Sequence, residues 1–346
     1  MLKLNVLIAG ATGYIGIQLT KLLLNHSGIK IKYLCGNTSK GKSIKFFDKS
    51  INAKNLPKIT KFNYKNLNDV QVIFTALPNG EAQKISKKLL SHNTLIDLSA
   101  DFRLKSSSEY FKWYKIKHKS KANIKKSIYS IPEFTKKNVK NYKIISCPGC
   151  YPTSILLPLV PLVKKKLINL KSIIIDSKSG YSGAGRSVHK KYANKNLYES
   201  LSAYGVGFHR HNSEIEQEIS KVTKNKFNYI FTPHLTPMFR GILTTIYVET
   251  KKKISINKIH GHLSNFYKNK MFVKVLRMNS LISTNDVINT NNCYISVCKT
   301  RYKNKYVILS TIDNLIKGGS GQAIQNMNIK FNFKESEGLK WKKYFF

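Results

Sequence analysis

Residues 4–16 read LNVLIAGATGYIG, and this stretch decides the fold. Its first six residues form a short apolar run, which is typical of a buried strand. The glycines that follow are spaced GxxGxxG, so the chain can turn tightly and enter a helix whose N-terminus attracts a pyrophosphate. An ordinary glycine turn is the alternative interpretation. The stretch predicts the opening of a dinucleotide-binding βαβ unit, in which the cofactor contacts Gly10, Thr12, Gly13, Tyr14, Ile15 and Gly16.

The segments after this turn alternate between strand and helix. Apolar residues recur at helical spacing from residue 15 to about residue 25, and residues 29–35 have the pattern of a second strand. Further strands are predicted at 70–76, 94–98 and 144–147, with a helical stretch from residue 81 to about residue 91. Because alternating strands and helices favour a parallel sheet, this part of the chain is predicted to be a Rossmann-type α/β domain.

The pattern changes after about residue 150. A helix is predicted from about residue 153 to residue 166, and Pro158 and Pro161 are expected to kink or limit it. Strands rich in β-branched residues are predicted at 172–177, 229–232, 241–250, 292–300 and 306–311, before a last helix at about 320–331. Because these strands follow one another in sequence, they favour a mixed or antiparallel sheet and an α+β second domain.

The charge of the chain is strongly unbalanced. Its 346 residues include 60 Lys and Arg against 17 Asp and Glu, a formal net charge of +43 that suggests a polyanionic partner. However, only six of these cations are Arg, and nucleic-acid surfaces commonly use the bidentate Arg fork. AT-rich codon usage explains the abundance of Lys, Asn, Ile and Tyr, so no nucleic-acid partner is predicted. No apolar run reaches about 18 residues, so no membrane span is predicted either.

The end of the second predicted strand bears on the choice of cofactor. Residues 34–40 read LCGNTSK and contain no acidic residue to bind the ribose 2′-hydroxyl of NAD. Ser39, with Lys40 and Lys42 beside it, suits a 2′-phosphate, so NADP(H) is the predicted cofactor. The alternative is that lysines in so lysine-rich a chain carry no information here.

Five cysteines in a chain of this size do not form a disulfide framework, which fits a reducing cytoplasm. Cys147 and Cys150 form a CxxC, which is a structural metal site, a redox pair or the position of a nucleophile. No second ligand pair accompanies them, so no metal is predicted. Cys150 is expected where a helix begins, and there the helix dipole lowers the pKa of a thiol and N–H groups stabilise an oxyanion. We therefore favour Cys150 as a nucleophile and Cys147 as an inert residue at a strand end.

Two further polar segments carry candidate site residues. Residues 209–211 read His-Arg-His before a predicted helix, and this set can transfer a proton and bind an anion. Metal ligands or an exposed loop are the alternatives. The glycine loop at 179–186 ends in Arg186 and can bind phosphate through its backbone N–H groups, unless it is a plain loop.

Nine segments in collinear order resemble the N-acetyl-γ-glutamyl-phosphate reductase family. They extend over essentially the whole chain and read GATGYIG at 10–16, ALPNGEA at 76–82, DLSADFRL at 97–104, YSIPEF at 129–134, CPGCYPT at 147–153, SGYSGAGR at 179–186, FHRHNSEIEQEI at 208–219, FTPHLTPMFRGIL at 231–243 and DNLIKGGSGQAIQNMN at 313–328. Asn79 departs from the family pattern, which has His there, and Gly319-Ser320 replaces two alanines.

The resemblance implies a chain built like aspartate-semialdehyde dehydrogenase. It implies a dinucleotide-binding domain at 1–149, rejoined by 314–346, and a catalytic and dimerisation domain at 150–313. A homo-oligomer, dimer or tetramer, is then expected. Aspartate-semialdehyde dehydrogenase activity is the nearest alternative, and a basic nucleic-acid-binding module on an inactive Rossmann scaffold is the alternative from another class.

The resemblance also implies a reaction. It is the NADPH-dependent reductive dephosphorylation of N-acetyl-L-glutamyl 5-phosphate to N-acetyl-L-glutamate 5-semialdehyde, a step of arginine biosynthesis. In it Cys150 is the nucleophile that forms a thioester, and His211 transfers the proton, with His209 as the alternative. The implied cofactor contacts beyond the first turn are Pro78, Ser182, Gly183 and Asn314, and the implied substrate contacts are Arg186, Arg210 and Arg240.

Overall fold

The chain folds into two compact units. The computed structural model describes residues 3–52, 54–186, 199–250 and 254–339. One unit comprises Met1–Pro148 and Gly319–Phe346, and the other comprises Gly149–Gly318. The sequence predicts boundaries after residue 149 and before residue 314, and residues 340–346 of the predicted first domain lie outside the described residues.

A six-stranded parallel sheet forms the centre of the first unit. Its strands are β1 (Leu4–Ala9), β2 (Ile29–Cys35), β3 (Val72–Thr75), β4 (Thr94–Asp97), β5 (Ser127–Tyr129) and β6 (Ile144–Ser146). Their order is β2-β1-β3-β4-β6-β5, and every pair runs parallel. The central strands β3 and β4 are buried along their whole length, as expected for a sheet covered on both faces. The predicted α/β fold class is confirmed.

Short helices connect these strands. They are α1 (Tyr14–Leu23), α2 (Glu81–Ser86), α3 (Ser107–Tyr114), α4 (Lys121–Ile124) and α5 (Pro132–Thr135). α1 begins directly after the glycine turn, as predicted. α2 ends five residues before the predicted position of about residue 91, because a turn at residues 87–93 leads into β4.

A mixed sheet of seven strands forms the second unit. Its strands are β7 (Ile173–Gly180), β8 (Ser202–Ala203), β9 (Tyr229–Thr236), β10 (Ile242–Glu249), β11 (Val273–Val275), β12 (Cys293–Lys299) and β13 (Lys305–Ile312). Their order is β11-β12-β13-β10-β7-β9-β8. The β7–β9 and β11–β12 pairs are parallel and the other pairs are antiparallel, which confirms the predicted mixed sheet.

The helices of the second unit include one that contains two prolines. Among the described residues of this unit they are α6 (Cys150–Lys164), α7 (Asn212–Ser220) and α8 (Ile256–Tyr267). The sequence predicts that Pro158 and Pro161 kink or limit α6, and they do not end it, because the helix continues through both. It begins three residues before the predicted start. Pro161 lacks the N–H that would bond the Leu157 carbonyl, and the Tyr267 hydroxyl donates to that carbonyl instead.

The chain then returns to the first unit. A π-helical turn (Ile316–Ser320) leads into α9 (Gly321–Lys330), in which residues 321–329 are all buried. Two of its buried amides join it to other segments: Asn328 Oδ1 lies 2.9 Å from His26 Nε2, and Asn326 Oδ1 accepts from the Ser130 hydroxyl at 2.6 Å. Within the described ranges, none of the helices combines the length and apolar character required to cross a bilayer.

Candidate active site

The glycine turn of the first unit is closely packed. Gly10 has a φ of +88°, and a methyl group there would lie 2.2 Å from the Ala76 carbonyl oxygen. A methyl group on Gly16 would lie 2.2 Å from the Gly10 carbonyl oxygen, so α1 approaches the turn as closely as glycine allows. Gly13 caps α1 in extended conformation and has no such crowding. This arrangement leaves the N-terminus of α1 open to a phosphate, and its residues fit a dinucleotide.

The loop after β2 lacks a carboxylate. Residues 36–47 contain no Asp or Glu, and the next acidic residue, Asp48, forms an ion pair with Lys21 at 2.9 Å. Backbone hydrogen bonds hold the loop in place: Gly36 N donates to Thr60 O and Gly41 N to Ile59 O, at 2.9 and 2.8 Å. Ser39 is buried in it, whereas Lys40 and Lys42 are exposed. The loop therefore presents cations and no anion.

The second predicted cofactor loop follows β3. Ala76, whose carbonyl crowds Gly10, also donates its N–H to Ala9 O at 2.8 Å. Pro78 lies two residues further along and is exposed. The predicted contact residue Pro78 therefore follows the carboxyl end of a strand adjacent to β1, the edge at which parallel sheets bind ligands.

The two cysteines of the CxxC have different surroundings. Cys150 is half-buried and is the first residue of α6, and Gly149 is the N-cap. Cys147 follows β6, is fully buried, and has a pKa raised to about 12 by burial. A buried thiol that does not ionise is a poor nucleophile, whereas a helix N-terminus stabilises a thiolate.

His211 lies against the residue that precedes Cys150. A methyl group on Gly149 would lie 2.4 Å from His211 Nε2, so the imidazole occupies the space that a side chain at position 149 would fill. Glu214, one turn into α7, is fully buried and accepts the Gly149 N–H on Oε2 at 2.8 Å. Its Oε1 lies 3.8 Å from His211 Nε2. The start of α6 and the start of α7 are thus joined through a carboxylate and an imidazole.

His209 occupies an aromatic pocket beside His211. Its ring centroid lies 4.6 Å from that of His211, 5.6 Å from Tyr151 and 5.5 Å from Tyr204. His209 Nδ1 accepts the backbone N–H of His211 at 3.2 Å, which requires the tautomer protonated at Nε2. Burial, with the charge of Arg210, lowers the pKa of His209 to about 4. His209 is therefore neutral near pH 7.

Arg240 is held rigidly. Its Nε lies 2.9 Å from Asp313 Oδ2, and its two terminal nitrogens donate to Asp313 Oδ1 and Asn289 Oδ1 at 3.3 and 2.6 Å. Asp313 is fully buried. Its backbone carbonyl accepts the Gly318 N–H at 2.9 Å, and a methyl group on Gly318 would lie 2.7 Å from Cys150 Cβ. The segment that fixes Arg240 therefore also packs against the cysteine.

Ser182 and Asn314 form a second polar pair in the same unit. The Asn314 amide donates to Ser182 Oγ at 3.0 Å and accepts the Gly241 N–H at 2.8 Å. Gly183, next to Ser182, is exposed. Of the other predicted residues, Arg210 is exposed immediately before His211, and Arg186 is partly buried at the end of a described range.

Sequence reasoning left several of these residues out of the predicted site, among them Glu214, Asp313 and Gly149. Glu214 has a detectable signal, because it stands three residues after His211 at a helix start and so shares a face with it. Asp313 and Gly149 have none, because their roles depend on contacts with distant residues. Among the described residues, no group of three or more His, Cys, Asp or Glu side chains can hold a metal ion.

Comparison with known proteins places both units in families. The semialdehyde dehydrogenase NAD-binding domain matches residues 5–142, and the semialdehyde dehydrogenase dimerisation domain matches residues 150–314. The chain is 44% identical to the N-acetyl-gamma-glutamyl-phosphate reductase of Clostridium botulinum, with 98% of each chain covered. It is 40% identical to a probable chloroplastic N-acetyl-gamma-glutamyl-phosphate reductase of Arabidopsis thaliana, with 96% of this chain and 83% of that protein covered.

A solved structure shares the fold. Aspartate semialdehyde dehydrogenase II of Vibrio cholerae superposes with a TM-score of 0.72 at 16% identity, covering 96% of this chain and 99% of that chain. At that identity the likeness is one of architecture, whereas three relatives of 42–44% identity, each covering 98% of this chain, are named N-acetyl-gamma-glutamyl-phosphate reductase. The chain belongs to the N-acetyl-gamma-glutamyl-phosphate reductase family.

Proposed function

We propose that this chain reduces N-acetyl-L-glutamyl 5-phosphate to N-acetyl-L-glutamate 5-semialdehyde and phosphate with NADPH, as a step of arginine biosynthesis. The observation that carries the proposal is the position of Cys150 at the start of α6 with the His211 imidazole packed on Gly149 beside it. Full-length identity of 40–44% to reductases of that name supports the choice of substrate.

The first chemical step is thiolate attack on the acyl phosphate. Cys150 Sγ bonds to the acyl carbon, the carbon–oxygen bond to phosphate breaks, and phosphate leaves with the electron pair, so that a thioester remains. The helix N-terminus at Cys150 stabilises both the thiolate and the oxyanion of the tetrahedral intermediate. A thioester is needed because its carbonyl accepts hydride where a carboxylate does not.

His211 is the proton carrier in this scheme. It accepts the thiol proton before attack and returns it when the hemithioacetal collapses to aldehyde and Cys150. The Glu214 carboxylate, 3.8 Å from its Nε2, stabilises the imidazolium that forms. The same carboxylate binds the Gly149 N–H, so that acid–base group and nucleophile move as one.

His209 has a positioning role in the proposal. With a pKa of about 4 it binds no proton near pH 7, and its Nδ1 is already used by the His211 backbone. It therefore fixes the backbone that presents the His211 ring. Of the two histidines that the sequence leaves open, we assign proton transfer to His211.

NADPH, when bound, supplies the hydride that reduces the thioester. The residues proposed to hold it in the first unit are those of the glycine turn (Gly10, Thr12, Gly13, Tyr14, Ile15 and Gly16), with Ser39 at the 2′-phosphate and Pro78 in the loop after β3. The exposed Lys40 and Lys42 favour the 2′-phosphate over a bare ribose. Ser182, Gly183 and Asn314 are proposed as further contacts from the second unit.

The substrate is an anion, and three arginines are proposed to bind it. Arg240 is the first, because Asp313 and Asn289 fix the direction of its guanidinium and leave little orientational entropy to lose on binding. Arg186 and Arg210 are proposed for the phosphate and the remaining carboxylate.

We propose a homo-oligomer, a dimer or tetramer, located in the cytoplasm. Ile230, Ile174 and Tyr247 are paired across β9, β7 and β10, and they are 59%, 46% and 43% exposed. Such an apolar row on an open sheet face favours burial against a second copy, and the family domain matched over 150–314 is described as a dimerisation domain. Sedimentation of Ile174→Lys should show a smaller species than the wild type.

The reaction is tested in reverse with N-acetylglutamate semialdehyde, phosphate and NADP, following the absorbance of NADPH. The wild type and Cys147→Ala should turn over, and Cys150→Ala should bind NADPH without turning over. Retained turnover in Cys150→Ala contradicts the covalent mechanism. Faster turnover of aspartate semialdehyde than of the N-acetylglutamate semialdehyde would identify the other semialdehyde as the substrate.

A further inference from the structure

The loop that carries Pro78 is fastened at both ends by the segment that follows β4. Leu77 N donates to Ser99 Oγ at 3.0 Å, and Gly80 N donates to Asp101 Oδ1 at 2.7 Å. β3 and β4 are neighbouring parallel strands, so the two loops leave the sheet side by side. Between the two fastened ends, Pro78 is exposed and available to a ligand.

The Asp101 carboxylate also accepts hydrogen bonds from other groups around it. It is fully buried, and Oδ1 accepts from the Tyr110 hydroxyl at 2.6 Å and from Gln83 Nε2 at 3.1 Å. Oδ2 accepts the Gln83 N–H at 3.2 Å. Burial raises the pKa of Tyr110 well above its usual range, so its hydroxyl remains a donor. An uncharged amide cannot satisfy this set, because its NH₂ would face an N–H.

Gly80 lies in an open part of the loop. Gly80 has a φ of +95°, yet a methyl group there would meet nothing within 4 Å, so no neighbouring side chain presses on it. The bond from Gly80 N to Asp101 is a contact that fixes this residue directly. Ala100, next to Asp101, is itself held at a φ of +73°, a conformation that persists only when surrounding contacts determine it.

We propose that Asp101 is a positioning residue for NADPH. It contacts no cofactor atom, but it keeps residues 77–80 in the conformation that binds the dinucleotide. If the loop occupies that conformation only part of the time, the apparent dissociation constant rises by the inverse of that fraction. The inference rests on the proposed function, because it takes Pro78 as a cofactor contact.

The experiment measures NADPH binding by fluorescence titration in Asp101→Asn. We expect the dissociation constant to rise at least about tenfold, since the amide NH₂ of Asn leaves either the Gly80 N–H or the Gln83 N–H without its acceptor and so loosens the end of the loop. The rate of Cys150 alkylation by iodoacetamide, followed by peptide mass spectrometry, should stay within about twofold of the wild type, because it needs no cofactor. In turnover, KM for NADPH should rise more than kcat falls.

Two further variants keep the test decisive. Ser99→Ala frees the other end of the loop with a smaller disturbance, and it should weaken NADPH binding severalfold even if Asp101→Asn does not fold. Tyr110→Phe is the matched control, because it removes a hydrogen bond to the same carboxylate but leaves the Gly80 bond in place. It should lower the melting temperature and leave NADPH affinity within about twofold.

Three results would overturn the inference. If Asp101→Asn and Ser99→Ala bind NADPH as tightly as the wild type, the loop restraint does not control affinity. If Tyr110→Phe weakens binding as much as Asp101→Asn, general destabilisation is the cause. If the wild type itself binds no NADPH, the proposed function fails together with the inference, whereas the first two results leave the proposed function intact.

Discussion

Replacing Gly149 by Ala should displace the proton carrier without straining the backbone. Gly149 has φ −65° and ψ 156°, which alanine adopts freely, so any effect must arise from the added methyl group. That group would lie 2.4, 2.6 and 2.8 Å from His211 Nε2, Cε1 and Cδ2. Because carbon contacts are favourable only from about 3.5 Å, the imidazole must retreat by about 1 Å.

The size of the kinetic effect follows from that displacement. A misplacement of about 1 Å at a reacting group costs on the order of 10²-fold in rate, which corresponds to about 2.7 kcal/mol of transition-state stabilisation. Replacing the glycine N-cap by alanine also lowers the free energy of unfolding, by at most about 1 kcal/mol. Gly149→Ala should therefore lose about 10²-fold in kcat and little in melting temperature.

The assay follows phosphate-dependent reduction of NADP by N-acetylglutamate semialdehyde, with thermal unfolding and Cys150 alkylation measured beside it. Gly261→Ala is the matched control, because a methyl group at that position in α8 meets nothing within 4 Å. It should keep full activity and gain about 0.5–1 kcal/mol of stability. Unchanged kcat in Gly149→Ala would refute the placement of His211, and equal losses in both variants would show that the effect is not local.

Three further outcomes are expected. His211→Asn should lose at least about 10²-fold in kcat. His209→Asn should lose less and should leave the shape of the pH–rate profile above about pH 5 unchanged, since a group with a pKa of about 4 does not titrate there. The opposite ranking of the two losses reverses the assignment. NADPH should bind at least about tenfold more tightly than NADH, because the 36–42 loop presents cations; equal affinities by fluorescence titration contradict this. Tyr267→Phe should lower the free energy of unfolding in urea by about 1–2 kcal/mol, because the Leu157 carbonyl loses its donor; no loss would mean that water replaces the hydroxyl.

The strands were the most predictable part of the fold. β1 lies where the apolar run places it, because a central strand covered on both faces must be largely apolar. β2 lies where residues 29–35 place it, although it is an edge strand in which Lys30 is exposed. The course of α6 was not predictable, because the cost of Pro161 depends on Tyr267, a residue about one hundred positions away that supplies the missing hydrogen bond. The local sequence shows that a proline removes a helix hydrogen bond, but it does not show the distant side chain that replaces that bond.

The candidate site divides in the same way. The position of Cys150 at a helix start follows from local pattern, since CPGCYP joins a strand to a helix. The pairing of Glu214 with the Gly149 N–H and the fixing of Arg240 by Asp313 do not, because each joins segments more than 60 residues apart. Residue types that carry chemistry are visible in sequence, but the groups that orient them are visible only in the fold.

The acidic residues show which charges the fold requires. Among the described residues, five carboxylates are buried, at Asp97, Asp101, Glu133, Glu214 and Asp313. Four of them accept backbone N–H groups at loop or helix starts: Asp97 from Ser99, Asp101 from Gly80, Glu214 from Gly149 and Asp313 from Asn289. Lysine has no acceptor, so it cannot replace them.

Exposed carboxylates such as Glu81 and Glu109 form surface ion pairs with lysines, which contribute about 0–1 kcal/mol each. A chain that accumulates lysine can therefore lose surface acids at little cost, but it must keep the buried ones that hold the site. The net charge of +43 is then a property of the surface. This charge can raise the encounter rate with anionic ligands. The proposed chemistry depends instead on the few buried carboxylates, which lysine cannot replace.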